Sequence, residues 1–419
     1  MSEGIPKQIA SIDTLFLELP PSCIEFWHLH PEYFVIGTYF LKNPEQHQEQ
    51  GNRQEENLPN DGHSSAKKAQ ERTGSLVLCK LNDNKLEIVD TCKTDYAILD
   101  VHFAYAGNGK ERVHTSTFWT ANSTGSIAEY EIIFPIANAS PTIEQRSIHQ
   151  LYAEDILVLS FCWHPHDANL MSTTLSNGEV HVIRKRAQAR DEKETMIWET
   201  SAQKPMSHEL EAWTSCFSST GEELLFSGGD DAVLQYTTTP TAFQHKQDDE
   251  ADSEESPTPK TLPKKFHNAG ITSILPLHHS LLLTGSYDDH IRLLLTHPRP
   301  TLLADLNLGG GVWRLKLLSS SNEAPNEASN EEKGIYDILA SCMHAGTRIV
   351  RLTMDGVGET GFEVLATFEE NESMNYGSDV QPRREGGEEV LRGFVVVSTS
   401  FYDRRVCLWR FDGMADGMG

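Results

Sequence analysis

The chain has 419 residues, 61 of them acidic and 35 basic, for a net charge of −26, a sign that repels phosphate backbones and anionic lipid surfaces and argues against nucleic acid and membranes as direct partners. No run reaches the ~18 consecutive apolar residues of a membrane helix, and MSEGIPKQIASIDTLFLELP lacks the charged-then-apolar order of a signal peptide, so the expectation is a soluble, cytoplasmic chain. Much of the acid lies in stretches that read as solvated inserts, and a basic protein surface stays open as a partner.

In chain order, IDTLFLEL (12–19) is a strand with no partner nearby. CIEFWHL and YFVIGTYFL, followed by SLVLCKL and LEIVDTC, form a four-strand unit. AILDVHF through SIAEYEI gives a second unit, and LVLSFCWHP through EVHVIRK to MIWET a third. The clearest units follow: LLFSGGDDAVLQY (224–236), LLLTGSYDDHIRLLL (281–295) and VVVSTSFYDRRVCLWRF (395–411), with a weaker copy, ILASCMHAGTRIVRL (338–352), between the last two. Each is an apolar strand, a step of small residues, a polar turn and a second strand. Asp231 and Asp288 are 57 residues apart and Asp288 and Asp403 are 115, close to two such steps.

This repetition, with almost no helical period, predicts an all-β fold, a seven-bladed β-propeller spanning 1–419 as a single domain. The last unit ends without a fourth strand and the N-terminal strand is left over, so the two are expected to pair and close the ring. Segments 43–72, 244–260, 319–334 and 370–389 are rich in Glu, Ser, Asn and Pro and read as surface inserts that do not order themselves, although 370–377 is ambiguous. The seven cysteines form no C-x-x-C pair and most lie in apolar runs, as reduced core thiols do.

GSYDDHIRLLL and SFYDRRVCLWRF resemble the S-x-D-x-x-I-x-x-W pattern of WD repeats. Asp231, Asp288 and Asp403 stand at the turn position, and His208 and His267 where that family places a histidine bonded within the blade. A structural role is expected of all five. Only Trp409 keeps the tryptophan; Thr237 and Leu294 replace it elsewhere, and Arg410 replaces the closing Asp. The unit length exceeds the about 40–45 residues of a WD repeat, a surplus that the inserts supply.

HELEAWTSCF (208–217), FSGGDD (226–231), HNAGITSI (267–274), TGSYDDHI (284–291), GGVWRLK (310–316), ASCMHAG (340–346), MNYGSD (374–379) and STSFYDRRVCLWRFDG (398–413), in this order, resemble the WD-repeat diphthine methyl esterases of the diphthamide pathway in their fungal form. IGTYFL (36–41) and KTDYAILDVHF (93–103) extend the resemblance over most of the chain outside the inserts. It implies hydrolysis of the methyl ester of methylated diphthine, a modified histidine of translation elongation factor 2, before the final amidation. It also implies that elongation factor 2 is the partner, with other enzymes of that pathway as further partners, and a monomer needing no cofactor.

Ester cleavage needs an attacking group, a base and donors for the oxyanion. The chain has no G-x-S-x-G elbow and no H-E-x-x-H, since HELEAW supplies no second histidine, so neither the common hydrolase nor a metal centre is expected. His344 is the candidate base, in a turn where other units carry Gly, Ser or Asp. Cys342, two residues before it on a strand, would point the same way, so a Cys/His pair and a water activated by His344 both stay open. A buried thiol beside a blade-stabilising histidine is the competing reading. Arg314, after Gly309–Gly311 and Trp313, is placed to hold the ester carbonyl or the product carboxylate. Trp213, Tyr287, Trp313, Tyr376 and Tyr402, with Glu211, Asp230, Asp289 and His290, form the candidate substrate-binding set. Aromatic faces beside carboxylates suit the trimethylammonium of that substrate, although core packing explains the rings equally well. Blades four to seven therefore carry the candidate site and the first three read chiefly as ring closure. A non-catalytic propeller that docks other proteins is the alternative.

Overall fold

A computed structural model describes residues 5–42, 70–106, 113–135, 140–190, 193–201, 204–218, 223–240, 258–278, 280–322, 333–355, 360–383 and 393–413. Seven antiparallel sheets follow one another around an axis. Their innermost strands are Pro21–Phe26, Ile98–Ala106, Val158–His164, Ala212–Phe217, Ile271–His278, Arg314–Asn322 and Ser378–Val380. Consecutive innermost strands touch, and the last touches the first, so the ring is closed. Helix among the described residues is limited to a three-residue turn, Lys264–Phe266.

Burial explains the strand pattern. Second strands such as Tyr33–Thr38 and Leu281–Ser286 are buried along their whole length because a neighbouring blade covers each face. Outer strands such as Thr142–Gln150 alternate and carry exposed polar residues. The small-residue step of each unit has a packing cause. A Cβ on Gly228 would lie 2.6 Å from the Ile271 side chain, and one on Gly285 2.6 Å from Val312, each at the start of the following blade's innermost strand. Glycine there lets the next blade approach.

The ring closes as expected: Asp13–Phe16 pairs antiparallel with Arg405–Asp412 as the outer strand of blade 7. One contact was not foreseen. Lys7–Ile9 adds a parallel strand to the outer strand of blade 6, Thr360–Phe368, so the N-terminal segment ties two blades together.

The motif residues serve the blades. His208 bonds Asp231 through Nδ1 (3.0 Å) and Ser227 through Nε2 (2.9 Å), and Asp231 also accepts the Glu209 amide at 3.1 Å. In blade 5, His267 bonds Thr284 at 2.9 Å while Asp288 pairs with Arg292 at 2.8 Å. Burial, reinforced by the Arg292 charge, lowers the His267 pKa to about 4. In blade 7, Ser373 takes the histidine's place, donating to Asp403 at 2.7 Å, and Trp409 Nε1 donates to Ser398 at 2.9 Å. All seven cysteines are free, five of them buried.

The insert boundaries change. Residues 43–69, 244–257, 323–332 and 384–389 lie outside the described residues. Ser319–Asn322 and Gly334, inside the expected insert 319–334, pair across the first two strands of blade 6, and Lys333 pairs with Asp355 of the third. Residues 370–383 are likewise part of the fold. Asn375 is fully buried, donating through Nδ2 to the carbonyls of Gly377 (3.1 Å) and Thr399 (2.7 Å), and Ser378–Val380 is an innermost strand. Polar composition reads as a loop, but here the polar groups satisfy buried backbone.

Gly285→Val is expected to cost about 3 kcal/mol, as overpacking does, because Val312 and its carbonyl stand where the new side chain must go. Urea unfolding measures this, and an unchanged midpoint would show that blade 6 can retreat without loss.

Candidate active site

The innermost strands leave an axial channel, and its mouth, on the face bearing the connections between blades, is a cavity of about 500 Å³. Aromatic rings from several blades frame it. Trp213 and Trp313, at the start of the innermost strands of blades 4 and 6, have ring centroids 5.4 Å apart at 63°. Trp313 is 5.1 Å from Tyr376, Tyr376 is 5.3 Å from Phe401, and Phe401 is 5.0 Å from Tyr402 and 6.3 Å from Tyr39. Tyr402, 69% exposed, is the outermost. Tyr287 packs behind Trp213 (6.1 Å) and Trp313 (5.8 Å). Its phenol is held protonated by burial, then by Tyr376 and by the carboxylates of Asp230 and Glu211. Asp230 also accepts the Trp213 Nε1–H at 3.1 Å.

Arg314 lines the same cavity, and its guanidinium reaches across the channel to Asp100 of blade 2, Nη2 to Oδ1 at 2.8 Å. Asp100 is buried and accepts the amides of Val101 (3.1 Å) and Phe161 (3.3 Å). Its other oxygen lies 3.3 Å from His102 Nε2, and His102 Nδ1 is 2.7 Å from Glu25 of blade 1. Alongside, Lys316 pairs with Asp379, which accepts the Phe26 amide at 2.7 Å. Three carboxylates and three cations thus meet inside the ring.

The titrations follow from that company. Burial alone would neutralise Asp100, but Arg314 and His102 outweigh it and hold the carboxyl far below its ordinary range. Burial likewise opposes charge on His102, and Asp100 and Glu25 overcome it, raising the pKa to about 10. His102 is therefore a fixed imidazolium with both nitrogens engaged. Lys316 and Arg314 are raised by their carboxylates against the same opposing burial.

Among the candidates, Trp213, Trp313, Arg314, Tyr376 and Tyr402 line the cavity together, with Tyr287, Glu211 and Asp230 directly behind. The other four do not join them. Cys342 is fully buried in the core shared by blades 5 and 6, and burial raises its pKa to about 12, so it is a packing thiol and no nucleophile. His344 does not share its side. The strand ends at Ser341, the chain turns with Met343 at φ 43°, and His344 is exposed on the turn between the second and third strands of blade 6, outside the lining of the cavity. Strand alternation does not extend to Cys342 and His344, because the strand ends before them. Asp289 is a turn residue at φ 69°, and His290 bonds Asp305 and Asn307 of the outer strand Thr301–Asn307, away from the axis.

Sequence reasoning missed Tyr39, Phe401, Glu25, Asp100, His102, Lys316 and Asp379, and with them the part of blades 1 and 2, which do more than close the ring. A signal was present in AILDVHF: Asp100 and His102 alternate within an apolar run, so both face the same side of one strand.

No family model matches the chain. It is similar to human diphthine methyltransferase, 26% identical over 389 residues that cover 88% of this chain and 74% of that one. The diphthine methyltransferase of Schizosaccharomyces pombe is 26% identical over 411 residues, 97% of each, and that of Saccharomyces cerevisiae 25% identical, covering 94% of this chain and 96% of its own. The resemblance indicated by the motifs therefore runs through nearly the whole sequence. Among solved structures, the WD40 β-propeller domain of Doa1 superposes with a TM-score of 0.52 at 11% identity, covering 96% of this chain and 97% of that one. Sqt1 of Chaetomium thermophilum, solved bound to the N-terminus of ribosomal protein L10, gives 0.54 at 14%, covering 96% and 99%. Both show the fold.

Asp100→Asn is expected to lower stability by about 3 kcal/mol, because it leaves buried cations short of a partner; equal urea midpoints for the two proteins would overturn this account of the pair. His102 gives a pH signature. Its raised pKa contributes stability in full below the unfolded value near 6.5, and that contribution fades as pH climbs toward 10. The stability advantage over His102→Gln should thus shrink between pH 6 and 10, and a constant difference would show that His102 carries no proton at neutral pH.

Proposed function

We propose that this propeller, a sequence relative of proteins named diphthine methyltransferase, hydrolyses the methyl ester of methylated diphthine on translation elongation factor 2, leaving the carboxylate for later amidation. The observation that carries the reading is the aromatic arc over Arg314, with Glu211 and Asp230 behind it. A trimethylammonium gains from several ring faces and a nearby carboxylate, and an ester or carboxylate on the same side chain gains from a guanidinium below. The substrate carries both groups a few bonds apart. The arc and Arg314 share one cavity.

In the reaction, water adds to the ester carbonyl carbon, the acyl carbon–oxygen bond to the methoxy group breaks, and methanol leaves with one of the water's protons. The other proton is released as the acid ionises. Arg314, with the fixed charge of His102 behind it, stabilises the oxyanion and then the carboxylate. Glu25, which lines the adjoining cavity and binds His102 through one oxygen, is the carboxylate assigned to take the water's proton, because both nitrogens of His102 are occupied and Asp100 is held by two cations. The relatives' name couples diphthine to movement of a methyl group. Removal is the direction proposed here, because Arg314, lining the aromatic cavity, is placed to bind an oxyanion and the carboxylate that hydrolysis leaves.

Incubating the protein with methyl-esterified elongation factor 2 should remove one methyl ester, read by mass spectrometry of the modified peptide; an unchanged mass at high enzyme overturns the reading. The site is expected to separate binding from chemistry. Trp313→Ala should raise KM about tenfold or more through the lost cation–π contact, whereas Arg314→Ala should lower kcat by about 100-fold. His344→Ala should leave both within about twofold, as a surface change away from the reacting atoms.

A further inference from the structure

We propose that the opposite opening of the channel is a solvent port, a binding cavity for small neutral hydroxylic molecules that admits water and releases methanol while the protein-borne ester fills the aromatic mouth. The proposal rests on the ester-hydrolase reading. A second cavity of about 240 Å³ lies at the other end of the innermost strands. Ser22 and Ser160, near the starts of their strands, line the first cavity; His28 and Trp163, at or just past the ends of the same strands, line the second. His102 and Cys162 line both, so the two cavities are successive stretches of one channel that meet at the imidazolium held between Glu25 and Asp100.

The lining of the second cavity selects for uncharged polar molecules. His28 and His114 stack with centroids 4.3 Å apart and planes within 5°. Burial, then the neighbouring His114 and Lys316, lower the pKa of His28 against the weaker pull of Glu25 and Asp379, so its ring is neutral at neutral pH. Tyr105 and Trp163 supply aromatic wall. The Trp163 ring lines this cavity, and its Nε1–H is buried with no hydrogen-bond partner among the described residues, a donor that an oxygen reaching it would satisfy. The volume holds several waters at about 30 Å³ each, or methanol, and is small for a modified histidine.

Docking of a protein substrate supplies the need. A folded partner whose side chain fills the aromatic mouth closes that route, yet each turnover consumes one water and produces one methanol and one proton. A second opening beside Glu25, the assigned base, lets water arrive and methanol depart without release of the partner.

The test uses the full chain with His28→Trp, which narrows the port, and His28→Ala, which widens it, each assayed on methyl-esterified elongation factor 2 and on the methyl ester of trimethylglycine, which leaves the aromatic mouth open. His28→Trp should lower kcat on the protein substrate about tenfold with KM unchanged, as a release-limited step does, and keep the small ester within about twofold. His28→Ala should keep both activities. Wild-type kcat of His28→Trp on the protein substrate overturns the port, and so does an equal fall on both substrates, which would mean that the substitution disturbs the reacting groups. Absence of both activities in the unsubstituted protein overturns the ester reading itself, an outcome distinct from failure of the port, which compares variants of an active protein. Independently of turnover, the indole N–H resonance of Trp163, assigned with Trp163→Phe, should shift saturably on titration with methanol. No shift overturns the assigned ligand chemistry.

Discussion

One ion pair organises the interior of this propeller. Asp100 of blade 2 and Arg314 of blade 6 meet across the channel at 2.8 Å, although their blades are not neighbours in the ring. Taking both charges out of water is costly and is offset only when geometry and additional hydrogen bonds are good. Here the carboxylate also accepts two backbone amides and faces His102. The contact fixes the orientation of Arg314, which lines the aromatic cavity, against the buried cluster around Asp100.

That contact depends on the ring being shut. A sheet ring with an open seam could widen, and the span from blade 2 to blade 6 would lengthen with it. The seam is held by Asp13–Phe16 against the last blade and by Lys7–Ile9 against the one before, with Ile9 and Leu17 buried. Glycines at the second-strand steps let successive blades approach closely enough for the circumference to suit. Remote packing therefore sets the distance between groups that act together. The positions of these groups are set by the packed strands of the scaffold and not by the loops.

The aromatic cavity uses the repeat in another way. Each blade offers the mouth one connection and one turn, and in blades 4 to 7 these carry Trp213, Tyr287, Trp313, Tyr376 and Phe401. No single blade makes the site. Repetition supplies equivalent positions around an axis, and divergence at those positions supplies the chemistry, so the chain keeps the WD-type turn network in His208 and Asp231 while losing most of the motif tryptophans.

The sequence by itself determined the blade count, the closing strand and the part of the mouth built from blades 4 to 7, because strand alternation and turn residues are local properties of a chain. It placed Trp213, Trp313, Arg314, Tyr376 and Tyr402 at the mouth, since the turns and the connections between blades converge on one face of a propeller. It misplaced His344 and Cys342 because a left-handed residue at Met343, absent from any strand pattern, turns one outward and leaves the other in the core. Only the tertiary structure brought Glu25, Asp100, His102 and Arg314 together: they lie up to 289 residues apart in the sequence, and a charge in an apolar strand reveals that it needs a partner without revealing which one closure of the ring will put across the channel.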